Sequence, residues 1–249
     1  MRIIKTVMTI SLLILASTAI NSHATDYSSE QKAAMAKEFA DLFMAFKVSI
    51  FKLQGHINDP EIGDKGLTGA KMVEHAKKEY RELTGKDFVL SSNPDLLSAQ
   101  LDLFQATNSI MQKMAPVINR KGLGFKGFIT AIFVRMVARE FSSRSSRWNF
   151  KFTAPNDLLR SQANAADSWE SLVFSDKFRQ ANWQAEENYS EHTATGYRWM
   201  MPIYHTSVCL SCHGGPKGSR DITGAIKEGT KLGDLAGAFS IVFSDLKTP

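Results

Sequence analysis

Cysteine is scarce in this sequence: 249 residues contain two. A small disulfide-stapled protein is therefore excluded, because such proteins depend on several bridges. The sequence also has no internal repeat and no low-complexity tract. Hydrophobic residues make up 43% of the chain, with 16 Phe, which predicts a compact folded domain. The formal charge of +5, from 30 basic and 25 acidic residues, does not require a nucleic-acid partner.

Long hydrophobic runs are also lacking after residue 24, where no segment approaches the ~20 apolar residues that span a bilayer. Residues 1–24 begin with Arg2 and Lys5, continue through an uncharged run to Ile20, and end in Ser22-His23-Ala24. A basic N-terminus, a short apolar run and small residues before the cleavage site are together typical of a cleaved secretory signal. We therefore expect an exported, periplasmic protein with no membrane span after signal cleavage.

The two cysteines stand close together and are followed by a histidine: Cys209, Cys212 and His213 form C-x-x-C-H. Two thiols at this spacing can form thioether bonds to the two vinyl groups of a haem, and the adjacent imidazole can then bind the iron. The motif, together with export, predicts one covalent haem c.

Three other uses of the cysteines are less well supported. A thioredoxin-like dithiol gives His213 no role. A structural zinc site would need two more ligands, and the sequence has no second cysteine pair and no H-x₃₋₅-H. A disulfide between Cys209 and Cys212 would close too small a loop to stabilise much.

Apolar residues recur at helical spacing in the first part of the mature chain. The spacing predicts helices over residues 30–54, 70–83, 94–113 and 128–141. The second helix is predicted to bury Val73, Ala76, Tyr80 and Leu83. The third helix is predicted to bury Leu97, Leu101, Phe104 and Met111.

The hydrophobic period then changes from helical to alternating. Residues 148–152 and 197–204 alternate as half-buried strands do, a last strand is predicted over 235–243, and residues 167–178 fit a helix. Helices followed by a strand-rich part predict an α+β fold with a small antiparallel sheet. The expected division is a signal peptide at 1–24, a helical segment at 25–105 and a haem domain at 106–249.

Two further features could suggest other ligands. Gly122 to Gly127 spell G-x-G-x-x-G, but no strand precedes them and no acidic residue follows at the distance that a dinucleotide site needs, so we predict a turn between helices. The middle of the chain is basic, which fits a solvated face or pairing with haem propionates. The residues concerned are Arg135, Arg139, Arg144, Arg147 and Lys151.

Several stretches besides the motif carry a resemblance to a known family. They are Lys126–Phe133, Lys151–Pro155, Arg160, Asn164, Asp167–Glu170, Met201–Tyr204, Gly214–Pro216, Gly224, Lys227–Gly229, Gly233–Leu235 and Gly237–Ser240. The chain resembles exported PAS-like domains that carry one covalent c-type haem, long catalogued as a domain of unknown function. The resemblance implies a PAS-like antiparallel sheet around the haem. It departs from the family at residues 161–163, where Ser-Gln-Ala replaces the usual Asn-Pro-x.

The resemblance also bears on the second axial ligand of the iron. Some relatives use a helix cysteine, and this chain has no third cysteine; the matching position is Met111, four residues before Ala115-Pro116. Met111 is therefore the candidate sixth ligand, and a core methionine is the alternative. Other candidates are Met114, His56, His75, His192, His205 or an open position with water or a gas. His/Met ligation would raise the reduction potential, and an open position would permit ligand binding.

These observations predict a monohaem protein that works by one-electron change at iron, in electron transfer or redox sensing. One alternative is a gas or small-ligand sensor, which would signal through a separate protein. Another is an enzyme, either a thiol oxidoreductase using Cys209 and Cys212 or a peroxidase, although no distal acid–base pair is identifiable. The expected partner is a redox protein or a signalling protein.

Overall fold

The computed structural model of the protein describes residues 27–185 and 187–245. The predicted signal peptide at 1–24 lies outside these residues. Among the residues described, no helix combines the length and the apolar character needed to cross a membrane.

Five helices form the first part of the fold. α1 begins at a capping box, in which the Ser28 side chain accepts from the Gln31 backbone N–H and the Gln31 side chain accepts from the Ser28 N–H. The helices are α1 (Ser29–Lys52), α2 (Gln54–Asn58), α3 (Gly69–Thr84), α4 (Pro94–Ile118) and α5 (Thr130–Ser142). α3 ends at Gly85, whose φ of 72° is the left-handed conformation that glycine adopts without strain.

The buried faces of α3 and α4 differ from the prediction. Leu83 in α3 and Leu101 in α4 are exposed, at 52% and 41%, so both assignments were wrong. α4 also continues past Lys113 and through Pro116, with the Asn119 N–H bonded to the Ala115 carbonyl at 2.9 Å. The inward residues of α4 are Leu96, Ala99, Gln100, Leu103, Ala106, Thr107, Ile110, Met111 and Ile118. The helix is therefore rotated relative to the predicted face, and Met111 remains on the inner side.

A four-stranded antiparallel sheet forms the second part, with the strand order β1-β4-β3-β2. The strands are β1 (Trp148–Thr153), β2 (Tyr189–Thr193), β3 (Gly196–Tyr204) and β4 (Leu235–Phe243). β2 has no counterpart in the sequence prediction because its polar residues carry little hydrophobic pattern. The predicted α+β class, a small antiparallel sheet preceded by helices, is confirmed.

One face of the sheet packs against α1. The ring of Phe43 stacks on Phe239 of β4 with centroids 5.3 Å apart, and lies 4.4 Å from the ring of Phe150 in β1. One apolar cluster includes residues of α1, α3, α4, α5 and the sheet. The predicted boundary at 105/106 falls inside α4, so residues on both sides of it contribute to the same core.

The other face of the sheet is covered as well. α6 (Ser168–Val173) continues into a π-helical turn, Phe174–Phe178, and a second apolar cluster joins Val173, Phe174 and Phe178 to Met200 of β3. The prediction that β3 is half-buried is wrong over residues 196–200, where residues on both faces are buried. The sheet is thus a middle layer between two apolar clusters, and the segment that carries the motif begins at the end of β3.

The G-x-G-x-x-G segment forms the predicted turn. Gly122 and Gly127 have φ values of 77° and 69° and lie between α4 and α5. The N–H of Gly122 bonds to the carbonyl of Pro60 at 2.8 Å. The glycines therefore satisfy local backbone geometry.

Candidate functional site

The C-x-x-C-H motif lies directly after β3. A 3₁₀ turn, Ser207–Cys209, passes into the short helix α7 (Leu210–His213), so the whole motif is folded within two turns. The backbone of His205 bonds to Asp234 just before β4, at 2.8 Å, which ties the start of the motif segment to the central strand pair. The sheet therefore fixes where the motif sits.

Both thiols are free and partly exposed. Cys209 Sγ lies 3.3 Å from the hydroxyl of Thr206, and Cys212 Sγ lies 3.8 Å from the hydroxyl of Ser211. No disulfide joins the two cysteines. The sulfur atoms are thus open to reaction with an incoming group.

The imidazole of His213 has one nitrogen occupied. Its Nδ1 lies 3.0 Å from Glu228 Oε2, and a carboxylate can only accept a hydrogen bond, so Nδ1 donates and Nε2 keeps its lone pair. Burial and the neighbouring Arg160 lower the pKa of His213, although Glu228 opposes this. The lowered pKa favours the neutral form of the imidazole, and the hydrogen bond at Nδ1 leaves Nε2 as the nitrogen that can bind a metal.

Arg160 ties the motif to the loop that follows it. Its guanidinium donates to the carbonyl of Cys212 at 2.6 Å, to Asp221 at 2.7 Å and to both carboxylate oxygens of Glu228, 2.8 Å from Oε2. It also reaches the carbonyl of Ile226 at 3.2 Å. A single side chain therefore joins the haem-attachment turn predicted from the sequence to residues 221–228.

Asp221 is the second anchor of this loop. Its carboxylate is buried and accepts bonds from the N–H and hydroxyl of Thr223, at 2.7 and 2.6 Å, and from the N–H of Ala225 at 3.1 Å. Burial alone would raise the pKa of Asp221, but the bonds from Thr223 and Arg160 prevail and hold it well below its usual range. Asp221 is therefore ionised at neutral pH.

His205 lies against the motif histidine. It is 4% exposed, and its ring centroid is 4.9 Å from that of His213. Its Nδ1 is buried and has no hydrogen-bond partner among the described residues. Burial lowers the pKa of His205, and the proximity of His213 acts in the same direction. Buried polar atoms normally have a hydrogen-bond partner. An unpartnered Nδ1 beside the motif is therefore consistent with a site that a bound ligand completes.

Lys47 of α1 is a residue that the sequence pattern does not single out, because the apolar spacing of α1 predicts packing alone. Its side chain is partly buried and lies within electrostatic reach of Cys209. Burial lowers the pKa of Lys47, and no hydrogen bond or ion pair engages it within the described part of the chain. The only feature of the sequence that points to Lys47 is its position one helical turn after Phe43, in a helix whose pattern is dominated by apolar residues.

The structure brings together Cys209, Cys212 and His213, but it gives the other predicted residues different surroundings. Met111 is 1% exposed and belongs to the main apolar cluster, with Met114 packed against that cluster. Its role as sixth ligand stays a prediction. His56 bonds to the carbonyl of Lys65 at 2.9 Å, and His192 pairs with Asp245 at 3.0 Å.

The basic residues of the middle segment have mostly found partners in the protein. Arg147 pairs with Asp95 at 2.6 Å, and Lys151 pairs with Glu170 at 2.8 Å. Arg144, just after the end of α5, pairs with Glu140 in its last turn at 2.6 Å. Arg135 bonds to the Ser161 hydroxyl, and Arg139 is exposed. Their pairing with haem propionates stays a prediction.

The side chains at the motif are chemically compatible with a haem. Two free thiols and an imidazole with a fixed tautomer are the groups that thioether attachment and axial ligation require. The buried Nδ1 of His205 beside them has no hydrogen-bond partner among the described residues. Across residues 27–185 and 187–245, no three His, Cys, Asp or Glu side chains gather as a metal-binding group.

Comparison with known proteins identifies the family. The family model described as Tll0287-like matches residues 67–244, and none of the curated proteins matches. A solved structure, that of the cyanobacterial heme-protein Tll0287, is 17% identical, with a TM-score of 0.42; the match covers 64% of this chain and 100% of that one. The family model takes in well over half of the 249 residues, which confirms the family resemblance stated from the sequence. The chain belongs to the Tll0287-like family.

Proposed function

We propose that this chain is an exported, periplasmic protein that carries one haem c and works by one-electron change at the iron, in electron transfer or redox sensing. Cys209 and Cys212 would form the two thioether bonds, and Nε2 of His213 would bind the iron. The observation that carries the proposal is the position of Glu228, 3.0 Å from Nδ1, which leaves Nε2 of the motif histidine as the free ligand atom. Membership of the Tll0287-like family, whose namesake is described as a heme-protein, supports the same cofactor.

The surroundings of the motif also suit a macrocycle. Val208 and Ile226 are large aliphatic residues beside the motif, and they are 49% and 50% exposed. The flat apolar face of a porphyrin would cover such side chains, which stabilises the complex by roughly 25 cal/mol per Å² of apolar surface removed from water. When bound, haem supplies a one-electron couple whose potential the protein tunes through axial ligands, hydrogen bonds and burial.

The direct test is the haem content of the exported wild-type protein. The full chain is expressed with a working cytochrome maturation system, and the purified product is examined by a pyridine haemochrome spectrum and by intact mass. We expect the mass of one haem added, the leader removed and a spectrum typical of two thioether bonds. A colourless product with two titratable thiols would overturn the proposal and favour a thiol oxidoreductase.

Met111 is proposed as the sixth ligand, and its exchange for leucine provides a prediction. Met111→Leu removes the thioether but keeps most of the apolar volume of a side chain that is 1% exposed, so the fold should survive with a cost below about 1.5 kcal/mol. We expect the ferric Fe–S(Met) band to disappear, the reduction potential to fall and the reduced protein to bind CO.

Met114→Leu is the matched control, because Met114 lies one turn further along α4 and packs against the same cluster. An unchanged ferric spectrum in Met111→Leu would contradict the assignment of Met111. CO binding by the reduced wild-type protein would instead favour a gas sensor, since the sixth position would then be open.

A further inference from the structure

The carboxylate of Glu228 stands behind the motif histidine, on the side away from Nε2. The contact joins residues 15 positions apart, and both side chains are partly buried, at 33% exposure for His213 and 17% for Glu228. Partial burial strengthens an electrostatic hydrogen bond relative to one in water. A hydrogen bond from Nδ1–H to a carboxylate also makes the imidazole a stronger electron donor at Nε2.

The backbone around Glu228 is built to hold it there. The carbonyl of His213 accepts from the N–H groups of Gly229 and Thr230 and from the hydroxyl of Thr230, all at 3.0 Å. Gly229 has φ of +78°, and a Cβ at this position would lie 2.7 Å from Lys217 Cβ, so the turn after Glu228 requires glycine. The residues that follow Glu228 therefore clamp the backbone of the histidine that Glu228 contacts.

Arg160 holds the carboxylate from the other side. It donates to both oxygens of Glu228 while it also binds Asp221 and the carbonyl of Cys212. A paired, two-point contact of this kind fixes the plane of a carboxylate. Arg160 therefore orients the carboxylate of Glu228 toward His213, and the contact between Glu228 and His213 is part of a connected hydrogen-bond network.

We propose that Glu228 is a positioning residue that sets the electron donation of the proximal histidine and so lowers the reduction potential of the iron, with Arg160 keeping the carboxylate in place. This inference rests on the proposed function. A more electron-rich imidazole stabilises the ferric state over the ferrous state, because the oxidised iron carries the extra positive charge. The neighbouring carboxylate thus offsets the rise in potential that a methionine ligand brings.

Two substitutions separate the charge of Glu228 from its hydrogen bond. Glu228→Gln removes the charge but keeps an oxygen that can accept from Nδ1, and Glu228→Ala removes both. We expect the ferric-to-ferrous equilibrium to shift at least tenfold toward the ferrous form in Glu228→Gln, which is about 59 mV upward for one electron. The shift should be at least as large in Glu228→Ala.

The NMR resonance of the Nδ1–H proton of His213 provides a second readout. If Glu228 had only a structural role, this resonance would not move in the conservative variant Glu228→Gln. In NMR spectra of the reduced, haem-loaded protein we expect its resonance to move in Glu228→Gln. In Glu228→Ala we expect it to be lost by exchange with solvent, because no acceptor protects it.

Asp157→Asn is the matched control. It removes one negative charge three residues before Arg160, where Asp157 pairs with Arg179 at 2.7 Å and is 62% exposed. Potentials of both Glu228 variants that agree with this control, together with an unmoved Nδ1–H resonance, would refute the role of Glu228. Every sample is first assayed for haem by its pyridine haemochrome. Absence of haem in the wild type overturns the proposed function, whereas normal haem with unchanged potentials and an unmoved Nδ1–H resonance overturns the inference alone.

Discussion

Replacing both Cys209 and Cys212 by serine should abolish covalent haem attachment. The hydroxyl of serine cannot form the thioether bond to a vinyl group, while its size keeps the turn intact. Each single variant should retain one thioether, and its haemochrome band should shift from the position of the wild type. The measurement is denaturing electrophoresis with a haem stain, supported by intact mass, in which the double variant is expected at the mass of the processed chain alone.

Ser211 offers a control inside the motif. Its side chain is exposed and donates to the carbonyl of Val208 at 3.0 Å and toward Cys212 Sγ at 3.8 Å. Ser211→Ala therefore removes contacts within the same turn while both thiols and the imidazole stay in place. We expect full haem content in this variant. Covalent haem in the double serine variant would contradict the attachment at Cys209 and Cys212, and haem lost equally from Ser211→Ala would attribute the effect to a disrupted turn.

The attachment motif could be predicted because it is local. Cys209, Cys212 and His213 fall within five residues, and the chemistry of a c-type site depends on this spacing rather than on the fold. The structure adds that these residues form two successive turns at the end of a central strand. A contiguous pattern is therefore enough to name the attachment residues, but it says nothing of what stands behind the histidine.

The network behind His213 could not be predicted from spacing. Arg160 lies 61 residues from Asp221 and 68 from Glu228 in the chain, and a charge pattern contains no information on such pairs. Arg160 and Lys227-Glu228-Gly229 belong to the stretches that carry the family resemblance, yet the resemblance assigned them no role. Only the folded chain shows that the three residues meet the motif at one place.

The fold shows the same division between local and distant information. The spacing of apolar residues predicts that the helices exist, but it does not predict which face of α4 is buried. That face is set by the helices that pack against α4, and Leu101 lies outside it. The burial of β3 on both faces depends on α6 and its π-helical turn, which pack Phe174 near Met200. Likewise, the partial burial of Lys47 follows from the packing of α1 and could not be read from its spacing.

Loss of Arg160 should damage stability more than loss of any surface pair. Arg160→Ala leaves the buried Asp221 carboxylate without its cation and frees Glu228, so we expect the free energy of unfolding to fall by about 3–5 kcal/mol. Arg160→Lys keeps the charge but cannot make all these contacts at once, and an intermediate loss is expected. Arg179→Ala is the control, because its pair with Asp157 is exposed and should contribute below about 1 kcal/mol.

The pH dependence of this loss identifies Asp221 as its source. The folded-state pKa of Asp221 lies below its usual range, so its ionised form stabilises the protein above the unfolded-state pKa of about 3.9, and that contribution disappears as the pH falls toward the folded-state value. We therefore expect the difference between wild type and Arg160→Ala, measured by denaturant unfolding, to be full at pH 7 and to shrink below about pH 4. A difference that stays constant through this range, or that matches Arg179→Ala at pH 7, would mean that the buried pair does not hold the loop at the motif. Arg160 also pairs with Glu228, which lies in the same loop and contacts His213. A loss of stability that occurs only while Asp221 is ionised would therefore show that the buried ion pair stabilises the loop that holds Glu228 against His213.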